Sequence, residues 1–228
     1  MRRAILSLLV GLLFPTVAAT SVQAGSLAGK IVMPAKLTYK VPFRASGYWR
    51  GLQNEVLKKL PPLVDPRQKM VVTLEAKGLP KSVAVKPEVH MEDMRFWPPV
   101  LPIHRNQTVS FVNDDKVKHE VISDGEEASV ASIPLPPGTR GRHSFTKLGE
   151  YTLTCKETPH LNVTVLVLDA PKFARVDAAG VFFFPDVPEG QVTLKVWYNG
   201  AWIHKQTVDL VGSKSRVSVD LSAAKAKE

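Results

Sequence analysis

The chain has 228 residues, of which 44% are hydrophobic and 22% are charged, and its formal net charge is +9. This length accommodates one large domain or two small ones. The basic residues are scattered and form no long run beside aromatic residues, so the composition disfavours a nucleic-acid partner and supports only a mild attraction to acidic partners or an anionic envelope surface.

The first 24 residues have the features of a cleaved secretory signal. Two arginines at positions 2 and 3 precede a mainly apolar stretch over 4–17, and small residues occupy positions 22 and 24. The apolar stretch is shorter than the ~20 residues of a membrane span, and no later segment approaches that length. We therefore expect a periplasmic or secreted mature protein that starts near Gly25 and has no membrane span. An uncleaved N-terminal anchor is the alternative.

Short strands and proline-rich breaks dominate the first half of the chain. Strands are predicted over 26–33 and 70–75, and the segment between them is irregular except for one short amphipathic helix over 51–60. Further strands are predicted over 83–89, 91–96, 100–103 and 108–112. Such short strands with turns rich in glycine and proline indicate an all-β sandwich or barrel.

The second half continues this pattern. A loop over 133–138 is followed by predicted strands at 142–146, 151–155 and 162–168. The composition then shifts, and a second set of strands follows, with members at 191–198, 204–210 and 216–221. Residues 223–228 form a frayed tail.

Cys155 is the single cysteine of the chain, so in an oxidising compartment it has no intramolecular disulfide partner. It is then a buried small residue, an intermolecular bridge or a ligand. His119 follows one predicted strand, and His160 lies with Cys155 around the loop between two later strands. Two imidazoles and one thiolate are the equatorial donors of a mononuclear type 1 copper site. The pattern makes copper the candidate cofactor.

Two motifs resemble the cupredoxins, the group of plastocyanin and azurin. They are N-x-D-x-x-x-H over 113–119 and G-x-Y-x-x-x-C over 149–155, and the resemblance covers about 80–168. It implies a Greek-key sandwich that binds one copper ion through His119, Cys155 and His160. The implied use is single-electron transfer or copper handling with a redox partner protein in the cell envelope. Asp115 is expected to cap the turn before His119.

The loop after Cys155 departs from the family pattern, which usually reads C-x-x-H-P-x-M in plastocyanin-like chains. Aligned on the proline, Thr158 replaces the histidine and Leu161 replaces the methionine. Aligned on the histidine, the spacing to His160 matches the azurin loop, but Thr164 takes the place of the methionine. Either His160 completes a three-coordinate site with Leu161 or a backbone carbonyl near the axial position, or the site has lost copper and the fold serves as a metal-free structural or interaction module for a protein or glycan.

A second resemblance lies in the C-terminal segment. D-x-x-G-x-F over 177–182 and P-x-G-x-x-x-L-x-V over 188–196 resemble the carboxypeptidase regulatory-like (transthyretin-like) sandwich, which is usually structural or adhesive. Four strands are few for a stable sandwich, and segments 29–31 and 72–74 fit the first strands of that family. The prediction is a smaller, discontinuous sandwich of 25–79 and 169–222, with the cupredoxin domain 80–168 inserted. In the alternative, the N-terminal strands pair with the cupredoxin.

Motifs of catalysis are absent from the sequence. It contains neither a G-x-S-x-G nucleophile motif nor an H-E-x-x-H zinc motif. A cysteine hydrolase would need an exposed thiol in a cleft, whereas a cysteine at a cupredoxin strand end faces inward. We therefore expect a protein that is not an enzyme.

Overall fold

The structure is a computed structural model that describes residues 25–33, 64–82, 86–123 and 130–222. The signal predicted over 1–24, the helix predicted over 51–60 and the tail 223–228 lie outside these ranges. The described residues form sixteen β-strands and one 3-10 turn, Pro66–Lys69. This confirms the all-β prediction. No helix among them has the length and apolar character needed to cross a membrane.

The strands fall into three groups along the chain. Two strands precede residue 80: β1 (Gly25–Val32) and β2 (Met70–Glu75). Nine lie between residues 86 and 168: β3 (Glu88–Met91), β4 (Phe96–Trp97), β5 (Val100–His104), β6 (Gln107–Asn113), β7 (His119–Ser123), β8 (Ile133–Leu135), β9 (Arg140–Phe145), β10 (Gly149–Cys155) and β11 (Asn162–Leu168). Five follow: β12 (Lys172–Arg175), β13 (Val181–Val187), β14 (Gly190–Tyr198), β15 (Ala201–Leu210) and β16 (Lys214–Asp220).

Strands β3–β11 form a central sandwich of two sheets. The five-stranded sheet has the order β5-β11-β10-β7-β8, and the four-stranded sheet has the order β4-β3-β6-β9. Val89, Phe111, Leu153 and Val165 are fully buried in one core between them. Each such side chain stabilises the fold by about 1.5–3 kcal/mol through burial, so the alternating apolar positions of these strands define the two inner faces.

Strands from both ends of the described chain form a second sandwich. Its sheets have the orders β13-β1-β16 and β12-β2-β14-β15. β1 lies between β13 and β16, and β2 lies between β12 and β14, so both N-terminal strands pair with strands that follow residue 170. Leu27, Leu74, Phe184 and Leu194 are buried together in its core. The proposed domain boundaries themselves stay a prediction.

The two connections between the sandwiches run side by side. The Ser82 backbone N–H donates to the Pro171 carbonyl at 2.9 Å, and the exposed Lys81 Nζ donates to Asp169 Oδ1 at 2.9 Å. A separate apolar cluster packs where the sandwiches meet and contains Val71, Val100, Leu166 and Trp197. The junction is therefore closed by a backbone hydrogen bond, an ion pair and buried apolar surface.

Three of the predicted elements were wrong in detail. The strand predicted over 83–89 begins only at Glu88; residues 83–85 lie outside the described ranges. The strand predicted over 91–96 is a turn, because Asp93 and Met94 both adopt a φ of 53° and β3 then pairs antiparallel with β4. The predicted loop 133–138 contains the strand β8. This strand tolerates Pro134 because it lies at the edge of its sheet, where the N–H that proline lacks is not needed for pairing with a further strand.

Candidate metal centre

His119 and Cys155 meet because their strands are neighbours in one sheet. His119 begins β7 and Cys155 ends β10, and Cys155 pairs with Val121. Residues two apart on a strand point to the same face, so the imidazole lies on the same inner face as the thiol. His119 Nδ1 is 3.4 Å from Cys155 Sγ, and the two residues are 1% and 0% exposed. Two of the three predicted ligands therefore lie together in the core.

Asp115 orients the imidazole from the other side. Its Oδ2 lies 2.9 Å from His119 Nε2, and its side chain is almost fully buried. A carboxylate only accepts hydrogen bonds when ionised, so this contact places a proton on Nε2 and turns Nδ1 toward Cys155. The hydrogen bond to Asp115 raises the pKa of His119, against the opposing effect of burial. Carboxylates commonly fix metal-binding histidines in this way.

Asn113 holds the turn on which these groups depend. Its Oδ1 accepts the Asp115 backbone N–H at 2.9 Å, and its Nδ2 donates to the carbonyls of Val117 at 2.8 Å and Leu135 at 2.7 Å. All polar atoms of this fully buried amide are thus engaged. The expected role of Asp115 as the turn cap was wrong: Asn113 accepts the turn's N–H, while the Asp115 carboxylate bonds His119 and the Met94 N–H.

Polar groups also surround the thiol. Its Sγ donates to Glu157 Oε2 at 3.4 Å, and the buried Thr158 hydroxyl lies beside it. Burial raises the pKa of Cys155, but hydrogen bonds from the Thr158 side chain, the Glu120 backbone and His119 together outweigh burial. The pKa of Cys155 is therefore below its usual value. This environment favours the thiolate, which is the form that binds metals.

The loop conformation takes His160 away from this pair. Thr158 N–H donates to the Cys155 carbonyl at 3.1 Å, and Leu161 N–H donates to the Thr158 carbonyl at 2.9 Å. Cys155 N–H closes the loop on the Leu161 carbonyl at 3.2 Å. Leu161 is buried in the core with Cys155, whereas His160 is exposed and lines a surface cleft.

The residues in place fit two equatorial positions of a type 1 copper site. They are a thiol and an imidazole nitrogen that lie 3.4 Å apart, and thiolate and imidazole are two of the donor types that such a site requires. The third predicted donor, His160, lies outside this pair. Over the described ranges, no group of three or more His, Cys, Asp or Glu side chains is placed to hold a metal ion.

Comparisons with known proteins give partial matches. No protein-family model and no curated protein matches the sequence. A purple cupredoxin from Nitrosopumilus maritimus is similar at 24% identity, over 36% of this chain and 100% of that chain, with a TM-score of 0.34. An amicyanin mutant in the Cu(I) form is similar at 21% identity, over 42% and 98% of the two chains, with a TM-score of 0.34. A copper-containing nitrite reductase from Thermus scotoductus is similar at 28% identity, over 47% and 27%, with a TM-score of 0.34.

Each of these matches covers less than half of this chain. TM-scores of this size carry no information about chemistry. A metal site is therefore inferred only from the positions of His119, Cys155 and Asp115. The transthyretin-like resemblance of the second sandwich stays a prediction.

Proposed function

We propose that this chain is a periplasmic or secreted cupredoxin-fold protein that binds one copper ion for single-electron transfer or copper handling. The observation that carries the proposal is the buried pair of His119 Nδ1 and Cys155 Sγ, 3.4 Å apart and held by Asp115. Copper bound there would supply one-electron redox chemistry. A redox partner protein in the envelope belongs to the same proposal.

Each residue has a defined task. Cys155 supplies the thiolate, and the polar contacts that lower its pKa favour that form. His119 supplies its Nδ1 lone pair while Asp115 retains the proton on Nε2. Leu161 packs against the same core and excludes water. His160 is the proposed third ligand, and it joins the pair only if the loop over 155–161 changes conformation.

Copper titration of residues 25–228 tests this proposal through visible absorption and electron paramagnetic resonance. We expect an intense thiolate-to-copper band that disappears in Cys155→Ser and in His119→Ala. His90→Ala is the matched control, since this half-exposed histidine lies in the same sandwich but bonds only Asp114 and Glu88 at the surface. Loss of the band in His160→Ala supports the three-ligand site, and its retention removes His160 from the site.

A second candidate function is a metal-free interaction module for a protein or glycan. The exposed position of His160 favours it, since two donors alone make an incomplete type 1 site. A folded, colourless protein that binds neither Cu(II) nor Cu(I) would establish this alternative over the first. In both cases we expect no catalytic activity.

We further propose that residues 25–79 and 169–222 form a regulatory-like structural sandwich around an inserted domain, 80–168. The pairing of β1 with β13 and β16, and of β2 with β12 and β14, supports this arrangement. Its expected role is to carry the copper-binding domain.

A further inference from the structure

A cleft of about 330 Å³ opens between the two sandwiches beside the loop that bears His160. The central sandwich contributes Arg95, Phe96 and His160 to its lining, and the second sandwich contributes Lys69 and Tyr198. This volume is at the lower end of the range for small-ligand pockets, which are common at domain interfaces. The cleft is separate from the His119–Cys155 pair, which is buried on the inner side of the same loop.

The cations in this cleft have no anionic partner within the described part of the chain. Arg95 forms no ion pair there, and its Nε is buried without a hydrogen-bond partner. The guanidinium carbon lies over the Trp97 ring, 5.3 Å from its centre, and this cation–π contact orients the group. Lys69 is exposed and also unpaired among these residues. Among the described residues, neither of these two charges is neutralised by a carboxylate.

Carboxylates do not compensate this charge. Among the described residues, no aspartate or glutamate belongs to the lining. Asp65 is near enough to Tyr198 to raise the pKa of the phenol, together with the larger effect of burial. However, Arg67 already binds the Asp65 carboxylate through two hydrogen bonds of 2.8 Å. The cleft therefore keeps a net positive character.

We propose that this cleft binds the oxyanion group, phosphate or carboxylate, of a small ligand. Arg95 is the main contact, because its planar guanidinium pairs with such groups through two parallel hydrogen bonds. Lys69 contributes a second charge at the rim, and the His160 ring provides a further N–H. The apolar lining, which includes Phe96 and Leu161, accommodates the rest of the ligand. The site is proposed for the metal-free chain, in which His160 lines the cleft and lies away from the His119–Cys155 pair.

Calorimetric titration of the metal-free chain with inorganic phosphate and, separately, with succinate tests the proposal. We expect saturable binding of at least one probe, weakened about tenfold or more in Arg95→Gln and several-fold in Lys69→Gln, since each loses a charge-assisted contact. Arg216→Gln, an exposed arginine of β16 in the second sandwich, is the matched control and retains wild-type affinity. Binding of phosphate alone assigns a phosphorylated ligand, and binding of succinate alone assigns a carboxylate.

The absence of saturable binding for both probes would overturn the proposal. Unchanged affinity in a folded Arg95→Gln variant would do the same. If Arg95→Gln fails to fold, the Lys69→Gln variant is used instead, because this side chain is exposed and forms no ion pair among the described residues. Full affinity in that variant then contradicts the site. Copper binding is unaffected by any of these results, so failure here leaves the proposed function standing.

Discussion

The chain contains two histidine–aspartate pairs on adjacent aspartates, and they offer a controlled measurement. Asp115 binds His119 in the core at 2.9 Å, and both side chains are 5% exposed or less. Asp114 binds His90 at the surface at 2.6 Å, and these side chains are 42% and 39% exposed. Both are histidine–aspartate contacts and they differ mainly in burial, although Asp115 also accepts the Met94 N–H.

Asp115→Ala removes the acceptor of the His119 Nε2–H, a charge-assisted hydrogen bond that contributes about 1.5–3 kcal/mol. It also removes the acceptor of the Met94 N–H, at 3.2 Å, which contributes about 1 kcal/mol. We expect the metal-free variant to lose about 3 kcal/mol of unfolding free energy. Asp114→Ala is expected to lose about 0–1 kcal/mol, because exposed ion pairs contribute little.

Equilibrium unfolding in urea at pH 7, followed by tryptophan fluorescence, measures both variants against the unaltered chain. If the two variants lose amounts of unfolding free energy that agree to within about 0.5 kcal/mol, the reasoning that burial makes the inner pair strong is refuted. In the copper titration, the isosteric Asp115→Asn should weaken copper binding about ten- to hundredfold, as loss of a ligand's supporting hydrogen bond typically does.

Three further predictions concern stability. Gly29→Ala should lower the unfolding free energy by about 1–3 kcal/mol, because the new methyl group would overlap the Phe182 ring; chemical denaturation measures this, and an unchanged midpoint would contradict the packing of β1. His104 has two buried ring nitrogens without a partner in the described residues, and burial lowers its pKa below 6.5. The unfolded state then binds the proton more readily, so this residue reduces stability as the pH falls through about 6.5. His104 packs on the Phe173 ring, and His104→Phe should therefore raise the unfolding free energy more at pH 5.5 than at pH 7.5. The same change in unfolding free energy at both pH values would refute this prediction. A chain without residues 1–32 lacks the central strand of the β13-β1-β16 sheet, so limited proteolysis should cut within residues 172–222 first; equal resistance there would argue against the discontinuous sandwich.

The meeting of His119 and Cys155 was predictable from the sequence, since strand ends and the two-residue alternation place both on one inner face. The position of His160 was not. Three backbone hydrogen bonds within the loop over 155–161 decide that Leu161 turns inward and His160 outward, and such bonds leave no periodic signal. Asp115 was visible as the aspartate of the N-x-D-x-x-x-H motif, but its bond to the imidazole depends on the fold of the Asn113 turn.

The cleft could not be found from the sequence at all. Its lining comes from four separate segments, near residues 64–69, 95–99, 160–162 and 198. No local sequence pattern relates Arg95 to Lys69, because only the packing of one sandwich on the other brings these two residues together. By contrast, the N-terminal strands carried short motifs that indicated the second sandwich, since glycine and alternating apolar residues reflect direct packing within a sheet.

The junction between the sandwiches bears on whether another domain could replace residues 83–170. Ser82 and Pro171 are joined by a backbone hydrogen bond, so the chain leaves the second sandwich and returns to it at nearly the same place. The entropy of loop closure grows only slowly with loop length. The stability of the second sandwich therefore depends little on how many residues lie between these two points. Another compact domain whose own ends lie close together could replace residues 83–170, provided that it covers the apolar surface of Val71 and Trp197. The second sandwich would then act as a general carrier.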